Sequence, residues 1–90
     1  MPSYLVETYL SRSDAPDRLT RERRARSAAE ELTRAGTSVR FDRVIHVPED
    51  EMCFFVFEAS SGRDAAVAAE RAGLDPLRVV EVVSSREESR

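Results

Sequence analysis

Apolar and polar positions alternate in part from Ser3 to Leu10 (SYLVETYL), and the segment is rich in aromatic and β-branched residues, which predicts a strand. The period then lengthens. From about Pro16 to Ala35 the residues Ala25, Ala28, Ala29, Leu32 and Ala35 fall on one stripe of a helix. Ser13 or Asp14 is its candidate N-cap, Pro16 suits a first turn, and Gly36 supplies the stop. Ser38 to Val47 reads as a second strand, and Pro48-Glu49-Asp50-Glu51 has the composition of a turn. Met52 to Ala59, dense in phenylalanine, is a third and central strand. Ser61 with Asp64 resembles a capping box opening a second helix, with Ala65, Ala68, Ala69 and Ala72 toward the sheet and Gly73 at its end. After Asp75-Pro76 the run LRVVEVV is a fourth strand, and residues 84–90 (SSREESR) are a polar tail expected to be mobile.

The order β-α-β-β-α-β is the split βαβ pattern of an α+β, ferredoxin-like fold, with both helices on one face of a four-stranded antiparallel sheet. Residues 1–83 form this single domain, since a chain of 90 residues encloses only one core. If Pro48 to Glu51 close a four-residue turn, Val47 stands opposite Met52 and His46 opposite Cys53. Strict alternation from that register puts Val39, Phe41, Ile45, Val47, Met52, Phe54 and Val56 toward the helices. It leaves Arg40, Asp42, Val44, His46, Cys53, Phe55 and Phe57 on the open face. In the outer strands Val6, Leu10, Val80 and Val82 sort inward. Leu5, Glu7, Tyr9, Val79, Glu81 and Val83 sort outward, because a carboxylate in the core would carry a heavy desolvation cost. An open face this apolar predicts a partner sheet, and a second copy of the chain is the economical one.

Composition narrows the classes. With 41% apolar and 34% charged residues the chain reads as soluble and globular, and its apolar runs are too short to span a bilayer. The N-terminal segment has no basic flank or apolar stretch of signal-peptide length, so a cytoplasmic location is expected. One cysteine makes no internal disulfide and no closed cysteine-based zinc site. A net charge of -3 argues against nucleic acid as a partner. The arginine-rich segment RERRARS is read as a solvated helix face, with pairs such as Arg26 and Glu30 at i,i+4 spacing.

The segment VIHVPEDEMCFF holds the only histidine and the only cysteine. His46 and Cys53, with oxygens from Glu7, Asp42 and Glu81, are chemically capable of a mixed first-row metal site. Against this, a lone histidine is more often a hydrogen-bonded strand residue and a lone cysteine a small buried hydrophobe. Glu7 and Glu81, on neighbouring strands, are candidates for an acid-base pair, or for ion pairs with arginines such as Arg40 or Arg78. Glu49, Asp50 and Glu51 lack the spaced ligands and glycine of a calcium loop and read as a solvated tip. No glycine-rich phosphate loop, G-x-S-x-G elbow or H-E-x-x-H motif is present.

The segments YLVETYL, HVPEDEMCFFVFEA and AAERAGLDPLRVVEVV resemble the small bacterial nickel-binding proteins of a widespread domain of otherwise unknown function. The resemblance covers most of residues 3 to 83, and its most distinctive part is PEDEMCFFVFEA followed by RAGL. Glu7, Cys53 and Glu58 fall on family-pattern positions. It implies a dimeric ferredoxin-like fold and, for a characterised branch, binding of nickel with a role in nickel sequestration or response. The leading expectation is therefore a homodimer, joined through the open sheet face, that binds Ni(2+) or another divalent first-row metal. Its candidate ligands are His46, Cys53, Glu7 and Glu81. The rivals are a cofactor-free enzyme of the dimeric α/β-barrel type, similar to monooxygenases or isomerases, with Glu7 or His46 as base, and a structural or regulatory dimer with a filled interface.

Overall fold

The computed structural model describes residues 1–83; the expectation of a mobile tail falls on residues 84–90, outside those described. Strands β1 (Ser3–Tyr9), β2 (Val39–Val47), β3 (Met52–Ala59) and β4 (Arg78–Val82) form one antiparallel sheet in the order β2-β3-β1-β4. Helices α1 (Arg18–Arg34) and α2 (Gly62–Arg71) cover one face. This is the ferredoxin-like α+β layout that the hydrophobic pattern predicts, with β3 central as its phenylalanines require. Among the described residues no helix is long and apolar enough to cross a membrane.

The helices begin differently. Pro16 lies in a 3-10 turn, Arg12–Asp17, capped by Ser11 rather than by Ser13 or Asp14, and α1 starts only at Arg18. A 3-10 turn tolerates the proline because its missing N–H is one that no i→i−4 ladder uses. Ala25, Ala28, Ala29 and Leu32 are buried along α1, while Ala35 is its exposed C-cap. In α2 the Ser61 hydroxyl accepts the Asp64 N–H at 3.2 Å, and Ala65, Ala68, Ala69 and Ala72 are all buried. Replacing Ser61 with alanine leaves that N–H unpaired and is expected to cost about 1 kcal/mol, read as a lower urea midpoint at unchanged slope.

The two alanine faces are small because β3 and β2 bring large side chains to meet them. Phe55 and Phe57 are wholly buried. Phe41 packs edge-on to Phe57, with ring centroids 5.5 Å apart, and tilted against Phe55 at 6.3 Å. Large residues on the sheet against alanine on the helices let the layers approach closely without leaving voids. The solvated face expected for RERRARS is present, with Arg23, Arg24 and Arg26 exposed. Arg26, however, lies over the Phe41 ring, its Cζ 5.2 Å from the centroid, rather than at ion-pair distance from Glu30.

The faces of the sheet depart from strict alternation, and one residue is the cause. Val47 pairs with Met52 and His46 with Cys53, as the four-residue tip predicts. Between Phe41 and Arg43 the register then shifts, with Phe41 opposite Phe57 and Arg43 opposite Val56, so that Asp42 is a bulge. An extra residue in one strand reverses the side to which every residue beyond it points. Val39 and Phe41 therefore face the helices as expected, but so do Cys53, Phe55 and Phe57, while Ile45, Val47, Met52, Phe54 and Val56 point to the open face. Strand β4 is also reversed. Val79, opposite Val6, packs against the core, and Glu81, opposite Tyr4, shares its side. The helix side accepts a carboxylate there because β4 is an edge strand and Glu81 remains exposed, so the desolvation cost is avoided.

Candidate functional site

The four residues proposed from sequence divide between the two sides of the sheet. His46 and Cys53 stand opposite one another on β2 and β3, on the helix side. Glu81 is on that side too, but on β4, with β3 and β1 intervening between β2 and β4. At about 4.8 Å per strand, the two edges are about 14 Å apart, too far for ligands of one ion. Glu7 lies on the opposite face, across from Phe54 and Arg78. The expectation that all four share the open face is thus corrected, as is a shared pocket for Glu7 and Glu81. Among the described residues no group of three or more His, Cys, Asp and Glu side chains is placed to hold a metal ion. Within one chain these residues do not fit a nickel shell.

Cys53 behaves as a core residue. It is wholly buried, and its backbone carbonyl accepts the Thr8 hydroxyl at 2.7 Å, which also satisfies the buried polar side chain of Thr8. Burial pushes the Cys53 thiol above its ordinary value of 9.0, with Arg21 and Arg18 pulling it part of the way back. A buried neutral thiol is a poor nucleophile and a poor metal ligand. Its modification by a thiol reagent near neutral pH is expected to follow the rate of opening of the domain and to saturate with reagent. The unfolded chain releases the thiol proton at lower pH than the folded one. The stability this group contributes is therefore complete below about 9 and falls as pH rises beyond it. Urea midpoints that fall equally in wild type and Cys53→Ala above that pH would contradict this.

The PEDE tip is a structural turn. Pro48–Asp50 form a 3-10 turn, and Glu51 follows in the left-handed region at φ 53°. The Glu51 carbonyl accepts the Leu10 N–H at 2.8 Å, and its carboxylate accepts the Arg12 N–H at 2.8 Å. Glu51 thus ties the tip to the end of β1, a role its composition alone did not signal.

The open face is the larger feature. Leu5, Ile45, Val47, Met52, Phe54, Val56, Val80 and Val82 present their side chains on it. Val56 is only 3% exposed yet lies outside the helix-side core, so its open-face neighbours bury it. A hollow of about 370 Å³ is lined there by Leu5, Ile45, Val56 and Val82, with Asp42, Arg43 and Glu58 around it. The charges of this face are paired with one another. Arg78 donates to Glu7 Oε2 from Nε and Nη2, both at 2.8 Å, with the Glu7 side chain 17% exposed. Arg40 Nε donates to Glu58 at 2.9 Å, and Arg43 pairs with Asp42 at 2.7 Å. Arg78 as the partner of Glu7 agrees with the ion-pair alternative to an acid-base role.

Fold and face together define a ferredoxin-like α+β domain with one sheet face covered by helices and the other apolar. No protein-family model and no curated protein matches the chain. It is similar to the crystal structure of SCO4226 from Streptomyces coelicolor A3(2), at 20% identity and a TM-score of 0.69, over 91% of this chain and 98% of that one. At that identity the likeness shows the fold alone.

Proposed function

We propose that the protein is a homodimeric binding protein of the α/β-barrel kind, in which two copies join through their open sheet faces and enclose a chamber for a small, largely apolar molecule. One observation carries this reading: the open face is apolar and its charged residues, Glu7 with Arg78, Arg40 with Glu58 and Asp42 with Arg43, are already neutralised within the face. Such a surface can lose its water without stranding an unpaired charge. The hollow between Leu5, Ile45, Val56 and Val82 is where two facing sheets would leave space. Sedimentation equilibrium at micromolar concentration is expected to give twice the chain mass. A monomer under those conditions removes the proposal.

Nickel sequestration or response is the rival reading. Among the described residues one chain offers it the opposed pair His46 and Cys53, which lies on the helix side with Cys53 wholly buried, away from the face through which the copies are proposed to join. Calorimetric titration with nickel, wild type against a His46→Ala, Cys53→Ala double variant, separates the two readings. The chamber proposal expects the same weak or absent heat in both, and a site lost in the double variant would favour the metal.

A further inference from the structure

A second hollow lies on the other side of β2, between its outer edge and α1, and it is larger, about 660 Å³. Its lining is apolar at the base, where Ala29, Val39 and Phe41 are each at most 8% exposed, and beside them stands the exposed side chain of Met1. Its rim carries Arg26, Arg34, Arg40 and Glu30. The volume lies in the range of small-molecule sites, which pair an apolar lining with a few placed polar groups.

The charges of the rim do not cancel one another. Arg40 is held by Glu58 at 2.9 Å on the open face, so it contributes little here. Among the described residues, neither Arg26 nor Arg34 is within ion-pair distance of a carboxylate, Glu30 included. Two arginines and one glutamate leave one positive charge in surplus. Arg26 is also positioned: its Cζ lies 5.2 Å from the centroid of the Phe41 ring, a cation–π contact, and contact through the ring face does not use the N–H groups that an anion would take. The two walls are joined, because the Thr33 hydroxyl donates to the Val39 carbonyl at 2.8 Å and accepts the Val39 N–H at 3.1 Å. Helix and strand edge are thereby fixed relative to each other before any ligand arrives, which lowers the ordering cost of binding.

We propose that this hollow is a binding site for a small amphipathic monoanion, a carboxylate bearing an apolar chain. The chain would lie against Met1 and over the base formed by Ala29, Val39 and the edge of Phe41, and the carboxylate would meet Arg26, with Arg34 adding to the field. Neither the dimer nor the chamber of the open face is needed for this site, so the two proposals stand or fall separately.

Octanoate is the probe, with octylamine as its control of opposite charge and similar length, followed by amide chemical shifts in ¹⁵N-labelled protein. Octanoate is expected to give saturable shifts at Ala29, Thr33, Val39 and Phe41, and octylamine none there. Arg26→Leu, which keeps an apolar cover on Phe41, is expected to weaken octanoate about tenfold or more, a change of about 1.4 kcal/mol. Arg34→Leu is expected to weaken it by a smaller factor, and Arg63→Leu, away from the hollow, to leave it unchanged. All three positions are exposed, so each variant is expected to keep the wild-type circular dichroism. The proposal is overturned if octanoate gives no saturable shifts or if octylamine binds as well. It is also overturned if the octanoate shifts map to Leu5, Val56 and Val82, which would assign the ligand to the open-face chamber instead.

Discussion

Replacing Ile45 with arginine is expected to turn the proposed dimer into a folded monomer. Ile45 is 40% exposed on the open face, opposite Phe54, and its side chain points away from the helix-side core. The substitution therefore costs the isolated fold little, within about 0.5 kcal/mol for a surface change of this kind. In a dimer joined through this face it brings two new guanidinium groups, one from each copy, into an apolar contact. Among the described residues the carboxylates of the face already have partners in Arg78, Arg40 and Arg43, so none of these acids stands free to neutralise them. An unpaired charge in such a contact costs several kcal/mol, and a loss of about 3 kcal/mol weakens association by roughly a hundredfold. Sedimentation equilibrium, with circular dichroism to establish that the chain remains folded, measures both halves of the expectation. Leu19→Arg on α1, where Leu19 is 53% exposed, serves as the control and is expected to leave the dimer intact. An Ile45→Arg protein that associates as tightly as wild type would move the interface away from this face.

The fold was legible in the sequence because each of its signals is local. Ser61 with Asp64, the alanine stripes and Gly73 each act over a few residues and are satisfied where they stand. The tip was legible too, since a turn of four residues fixes the pairing of Val47 with Met52. The candidate site was not, because it depended on carrying alternation through the whole of β2. Asp42 breaks that alternation, and nothing in VRFDRVIHV distinguishes an aspartate in a bulge from an aspartate facing solvent. The reversal of β4 has a different origin. The charge of Glu81 argues against the helix side, yet on a short edge strand that side is still wet. An acid therefore reports the local depth of water rather than the face of the sheet. The dimer expectation survives as a proposal because both faces of β3 are apolar, so inverting the strand still leaves an apolar face uncovered.

Phe57→Ala and Phe54→Ala should consequently have effects opposite to those strict alternation assigns. Phe57 is wholly buried under the helices and makes an edge-on contact with Phe41, so truncating it removes its burial and leaves a cavity in the single core. The expected loss is about 3 to 5 kcal/mol. For a domain of this size, stabilised by about 5 to 13 kcal/mol, that is a large share of the total and lowers Tm by well over ten degrees. Phe54 points to the open face, so under the proposed association its truncation should act mainly through the interface: wild type and Phe54→Ala should differ more at high protein concentration than at low. The monomeric Ile45→Arg background isolates the contribution to the fold itself. There Phe57→Ala should remain severely destabilising in thermal unfolding, while Phe54→Ala should cost at most about 1 kcal/mol. Equal losses from the two in that background would mean that β3 has no covered and uncovered side. A greater loss from Phe54→Ala would place the Asp42 bulge elsewhere and return Cys53 to the open face.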